Sequence, residues 1–376
     1  MGRSRNSNLG LISPFRLLPL LSVCFNLLCP TWQIYTLTVE SFGSVFRGHC
    51  VLSNTPTRQI VSYFEKDAGI VVDQMGFGDY RTIQEAVDSV PDNNMERIVI
   101  QINAGVYLEK IHIGRRKSNI TFQGQGGDVT HICWNDTAAT SGSTRSSASV
   151  TVDAPDFIAN DISFNNFAYP TNGTPGSQAV ALRVSGDTAA FYNCSFYGAQ
   201  DTLFDDKGRH YFHNCYIEGT TDFIFGHGLS LYQECELHSI AGVDPLRITG
   251  CITAQNRQTL PERTGFSFVS CSITGTGQIY LGRAWGTYSR VVFSYTEMID
   301  IVAPQGWSDW GDPSKDQSVY YGEYKCTGSG SDRSKRVDWS HQLTDDEAAL
   351  FLNISFIDGD QWLDLTKSNV TQFVKQ

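Results

Sequence analysis

The 376-residue chain is 41% hydrophobic and carries 39 acidic against 28 basic side chains, a formal charge of −11. That length can bury one large core or two ordinary ones, and the acidic balance excludes a typical nucleic-acid binder, which needs a basic face. Residues 1–66 hold six basic and two acidic side chains, so a chain processed there keeps 22 basic and 37 acidic ones. The charge serves solubility and gives little attraction to an acidic polymer.

At the N-terminus, Arg3 and Arg5 precede the apolar run "LLPLLSVCFNLLCP". This pattern predicts a signal peptide over residues 1–36. Residues 17–39 also lack charge, so an uncleaved membrane anchor is the alternative, weakened by Asn26, Pro30 and Gln33. Residues 37–68 show no periodicity and read as a linker to one long domain, 69–376. Six Asn-x-Ser/Thr sequons, at Asn119, Asn135, Asn172, Asn193, Asn353 and Asn369, fit a secreted glycoprotein. Ten cysteines would then meet an oxidising compartment, but their spacing shows no paired zinc signature.

The segment "GDYRTIQEAVDSVP" at 78–91 predicts one amphipathic helix, with Ile83, Ala86, Val87 and Val90 on one face. It is placed to cap an open sheet end, which uncovered would be a liability. Beyond residue 90 the pattern turns to short alternating strands. "FYNCSFYG" at 191, "YFHNCYIEG" at 211, "LYQECELHS" at 231 and "FSFVSCSITG" at 266 share one template, with Cys194, Cys215, Cys235 and Cys271 in one slot. "IANDISFNN" at 158 is a weaker earlier copy. The intervals are 21, 20 and 36 residues, the last being a rung with a loop drawn out. A repeat of this size buries nothing alone and must stack. Short strands select an all-β fold, a parallel β-helix. The cysteine row reads as core packing, and Asn193 and Asn214 as a stacked hydrogen-bonding ladder.

Asp201 follows Cys194 by seven residues, and Asp222 follows Cys215 by seven. On successive rungs in register, the two carboxylates would lie about 4.8 Å apart, the strand spacing. Like charges that close push one pKa up, which suits an acid beside a nucleophile. The bland alternative is a pair of exposed turn aspartates, and Asp205 and Asp206 next door are read that way. Gln200 adjoins Asp201, and Gln178 lies one rung earlier; amide donors suit a developing oxyanion. "YLGRAWG" sets Arg283 and Trp285 two apart, on one side of a strand, where Arg283 could hold one aspartate ionised. Trp285, Trp307 and Trp310 could present flat faces to sugar rings, and for Trp307 and Trp310 a core role is an equal reading. His227, near Asp222 in sequence, reads as a turn histidine. No G-x-S-x-G elbow, P-loop or H-E-x-x-H pattern is present.

With "GDYRTIQEAV", "AGVYLEK", "SQAVALRV", "GAQDTLF", "GTTDFIFG", "YLGRAWG" and "YYGEYKCTGSG" in this order, the sequence closely resembles plant pectinesterases (pectin methylesterases) from about residue 69 onward. The resemblance implies a right-handed single-stranded parallel β-helix and secretion to the cell wall. It implies hydrolysis of methyl esters of homogalacturonan, with release of methanol and pectate. By position it implies Asp222 as nucleophile and Asp201 as general acid, later base. Gln178 and Gln200 match the oxyanion-stabilising glutamines, and Arg283 and Trp285 the substrate-binding pair. Thr144 of "GSTRSSAS" falls where the family has a substrate-contacting threonine, in a stretch one residue short.

Ala284 stands where proline is usual, and His227 where asparagine is common. The 68 residues ahead of the match are too few for the inhibitor-like pro-domain of many plant members. The implied chemistry needs no metal or organic cofactor. The expected partners are methylated homogalacturonan and proteinaceous pectinesterase inhibitors, with no nucleic acid, and the expected state is a monomer. Two rivals compete: a chain-cleaving β-helix enzyme, which as a lyase would want a calcium-binding carboxylate cluster not seen here, and a catalytically silent pectin-binding protein.

Overall fold

The computed structural model describes residues 69–168, 174–244 and 246–364. The expected leader, the linker and the sequons at Asn172 and Asn369 lie outside the described residues. Among the described residues no helix is long and apolar enough to cross a membrane.

The strands form three sheets: sheet I with eleven strands, and sheets II and III with eight each. All of their pairings are parallel, and each sheet takes every third strand over most of its length. The chain therefore winds through I, II and III once per coil, a three-sided parallel β-helix; parallel crossovers of this kind are right-handed. Successive coils keep the repeat seen in the sequence. Phe191 pairs with Phe212 in sheet I, Ser195 with Tyr216 in sheet II, and Leu203 with Ile224 in sheet III, all 21 residues apart. The long interval between Cys235 and Cys271 extends two connections, Ile240 to Gly250 and Gln255 to Gly265.

The residue before each repeated cysteine bends the chain from sheet I to sheet II. Asn193, Asn214, Glu234 and Ser270 all sit at φ between 51° and 56°, in the left-handed region that asparagine tolerates better than most. Asn214 Nδ2 donates to Asn193 Oδ1 at 2.8 Å, the ladder expected from the repeat. Cys194, Cys215, Cys235 and Cys271 turn inward, are buried, and are free thiols. Above them Phe191, Phe212, Tyr232, Phe268 and Phe293 stack at 4.5–4.8 Å between centroids. That is the strand spacing, so one aromatic per coil fills the interior without a gap.

The predicted helix runs Ile83–Ser89, shorter than 78–91. Thr82 caps its N-terminus by accepting from the Glu85 N–H, and Pro91 disfavours helical backbone at Val90. Ile83, Ala86, Val87 and Val90 are buried with Val72, Ile100 and Ile102 at the first coil. Residues beyond Asp345 cover sheet I: Ala348, Phe351, Ile354 and Ile357 pack on Leu231, Val269 and Val292.

Candidate active site

Sheet III carries the predicted carboxylates. Asp201 precedes the strand Leu203–Asp205, and Asp222 lies in the strand Thr221–Gly226. Their 21-residue offset is that of the paired Leu203 and Ile224, so they occupy equivalent places on successive coils. Both backbones are left-handed, φ 66° at Asp201 and 50° at Asp222. The Asp201 N–H donates to Thr221 O at 3.1 Å, tying the two bends together. A register shift between Thr221 and Ile224 marks a bulge at Asp222, and bulges re-aim side chains.

The two carboxylates differ in their partners. Arg283 forks onto Asp222: Nε donates to Oδ1 at 2.7 Å, and a terminal nitrogen donates to Oδ2. The guanidinium spans one intervening strand, Gly250–Gln255, which pairs with the strands of both residues. Asp201 has no side-chain hydrogen bond among the described residues and is 8% exposed. Burial, with the Asp222 charge added, pushes its pKa well above the ordinary range. Burial raises Asp222 too, but the Arg283 fork opposes that rise. Asp222 is therefore the group that ionises first, and Asp201 the group that keeps a proton.

The glutamines flank this pair. Ala179 N–H donates to Gln200 O at 3.1 Å, fixing the segments of Gln178 and Gln200 side by side. Both side chains are half-buried. The exterior floor of sheet III is apolar: Phe204 and Phe225 stack at 4.3 Å, and half-exposed Trp285 leans on Phe225 at 6.1 Å. Trp310, 41% exposed, lies under Arg283, whose guanidinium carbon is 3.7 Å from the ring centroid. A buried acid, an ion-paired carboxylate, amide donors and a flat apolar floor suit attack on an ester carried by a sugar chain.

The comparisons agree with that chemistry. The Pectinesterase family model matches residues 69–360. The chain belongs to the pectinesterase family. It is 51% identical to Probable pectinesterase 8 of Arabidopsis thaliana over 298 residues, 78% of this chain and 76% of that one. The carrot pectin methylesterase superposes with a TM-score of 0.74 at 36% identity, covering 80% of this chain and 96% of that one. A pectin methylesterase in complex with a hexasaccharide superposes at 0.67 and 26% identity, covering 77% and 96%. The pectinesterase is accordingly a carboxylic ester hydrolase on a right-handed parallel β-helix.

Other predicted residues fall in different places. Thr144 of this pectinesterase sits half-buried on a short loop that docks beside Gln178, through Ala138 N–H to Gln178 O at 2.7 Å. Trp307 is not a surface platform. It is 1% exposed, stacks on Tyr321 at 4.4 Å and points Nε1 toward Glu323 at 3.3 Å. A Cβ on Gly282 would come within 2.5 Å of Thr253 Oγ1 and 3.0 Å of that ring, so glycine precedes Arg283 because Thr253 and Trp307 crowd it.

Asp205 and Asp206 are not exposed turn aspartates. Asp205 is fully buried, held by His210 Nδ1 at 2.6 Å and Tyr232 Oη at 2.8 Å. Asp206 joins Arg145 and Arg183, each through two nitrogens. Burial raises its pKa, but the two guanidiniums outweigh that and hold it below the usual range. Arg145 thereby anchors the Thr144 loop to the coil of Asp201, a tie that sequence reading missed.

His227 pins a rim loop, with Nδ1 2.6 Å from Asn256 O and Nε2 3.3 Å from Glu262. Ala284 keeps an N–H that proline lacks, and donates it to Ser308 O at 2.9 Å. The Phe204–Phe225 pair was also missed, although its 21-residue spacing is the same signal that placed the aspartates.

Proposed function

We propose that this pectinesterase hydrolyses the methyl esters of cell-wall homogalacturonan, with Asp222 as nucleophile and Asp201 as general acid and then base. One observation carries the reading: of two equivalent buried carboxylates, one is forked by a guanidinium and the other has no side-chain hydrogen bond among the described residues. Asp222, held anionic by Arg283, attacks the ester carbon. Gln178 and Gln200 donate to the oxygen that becomes negative. Asp201 gives its proton to the departing methoxide, and methanol leaves an acyl-Asp222 anhydride. Asp201, now a carboxylate, takes a proton from water, which adds to the acyl carbon. The anhydride opens, freeing the galacturonic acid, which loses its proton to solvent, and the Asp222 carboxylate, and Asp201 holds the proton again.

The likeness to a pectin methylesterase solved in complex with a hexasaccharide supports an oligosaccharide substrate. The sequons and the N-terminal leader pattern support secretion to the wall. Action on methylated pectin tests the reading. The account expects methanol release with polymer viscosity retained at first; loss of viscosity without methanol would point to chain cleavage instead. A silent pectin binder would have no chemical use for the asymmetric carboxylate pair.

A further inference from the structure

We propose that Ser177 is a positioning residue for the reaction: its hydroxyl holds the Gln200 amide with the oxygen turned away and the NH₂ turned toward the developing oxyanion. The inference rests on the oxyanion role given to Gln200 above.

Ser177 is 6% exposed, and its Oγ donates to Gln200 Oε1 at 2.9 Å. Its own N–H is held by Thr174 O at 3.2 Å, so the hydroxyl sits on a fixed turn. Among the described residues, the Ser177 hydroxyl and the Gln200 side chain have this one hydrogen bond each. Gln200 Nε2 is thus left free to donate.

The two ends of a primary amide are nearly equal in size but opposite in sign. Sterics alone would admit a flipped amide, which presents oxygen to the oxyanion and repels it. Flipping would make Nε2 donate to Ser177 Oγ. The Ser177 proton would then be buried without an acceptor, and buried unsatisfied donors are disfavoured. The serine therefore selects one of two amide orientations.

Gln178 is the internal contrast. Its carbonyl accepts from Ala138 N–H, but its side chain has no hydrogen bond among the described residues. Gln200 is the pre-set donor and Gln178 the adaptable one. Pre-set donors cost no reorganisation as charge develops.

The test compares Ser177→Ala, Gln200→Ala and the double variant of the full-length secreted enzyme. Methanol release is followed over a range of methylated pectin, with thermal midpoints measured in parallel. Losing one neutral hydrogen bond should lower kcat about fivefold with KM unchanged. In the Gln200→Ala background, Ser177→Ala should change nothing further. Ser177→Cys, which keeps the shape but donates weakly, should fall between serine and alanine.

An additive loss in the double variant, or a Ser177→Ala effect confined to KM, would overturn the positioning role. So would a well-folded Ser177→Cys with full kcat when Ser177→Ala is slow. A near-normal Gln200→Ala removes the oxyanion assignment itself. An impaired Gln200→Ala with an additive double variant removes only the role of Ser177.

Discussion

Asp201 and Asp222 occupy equivalent left-handed bends on successive coils, yet Arg283 binds only Asp222. The difference comes from reach rather than from local sequence. Arg283 lies on a strand two removed from Asp222 and reaches across the strand between them to fork its carboxylate. Asp201, one coil farther, is left to burial, which favours its neutral form.

This asymmetry sets a pH profile. In the proposed mechanism Asp222 works as an anion, so activity should fall as pH drops through its pKa, and Asp201 works as an acid, so activity should fall as pH rises through its own raised pKa. Removing the guanidinium with Arg283→Gln takes away the influence that lowers Asp222. Its pKa should then rise, and the acid limb of kcat/KM should move about one to three units toward higher pH. A pH–rate profile checks this; an unmoved acid limb would detach Asp222 from that limb.

In the proposed mechanism the glutamines act on the transition state. Gln178→Ala and Gln200→Ala should each lower kcat on the order of 10²–10³-fold, with little change in KM. Steady-state methanol release measures both. A rise in KM alone would make them substrate-binding groups instead.

The two tryptophans should separate cleanly. Trp285 is 40% exposed on the floor, so Trp285→Ala should raise KM and leave the thermal midpoint nearly unchanged. Trp307 is core, and Trp307→Ala should cost about 3–5 kcal/mol in stability. Parallel denaturant titrations and kinetics would show the split.

Asp206 is a structural prediction. Replacing it with alanine takes from buried Arg183 the nearer of its two carboxylates and leaves Asp153 at 3.3 Å, so the loss should stay below the about 3–5 kcal/mol of a buried pair broken outright. It also releases Arg145 and with it the Thr144 loop. The sign with pH follows from the lowered pKa. The contribution of Asp206 is present above its unfolded pKa and is lost as pH falls through its folded one. Urea titrations of both proteins at two pH values test this.

The fold was legible because a β-helix writes its geometry linearly. A 21-residue spacing in sequence is one coil in space, so Cys194 over Cys215 and Asp201 over Asp222 could be read directly. Facing across coils was harder. The fate of Trp307 depends on Tyr321 and Glu323 on the next strand, which no local pattern announces. Asp205 and Asp206 looked like turn residues because their partners come from elsewhere, among them Arg145, 61 positions away. Ser177 was invisible for another reason: a serine before a glutamine carries no signal until the next coil brings Gln200 against it.

The central claim is that Asp222 is the nucleophile, and the most direct measurement is methanol release by Asp222→Ala on methylated pectin. The account predicts turnover at background with the fold retained, judged by circular dichroism. A folded Asp222→Ala enzyme with near-normal turnover would contradict it.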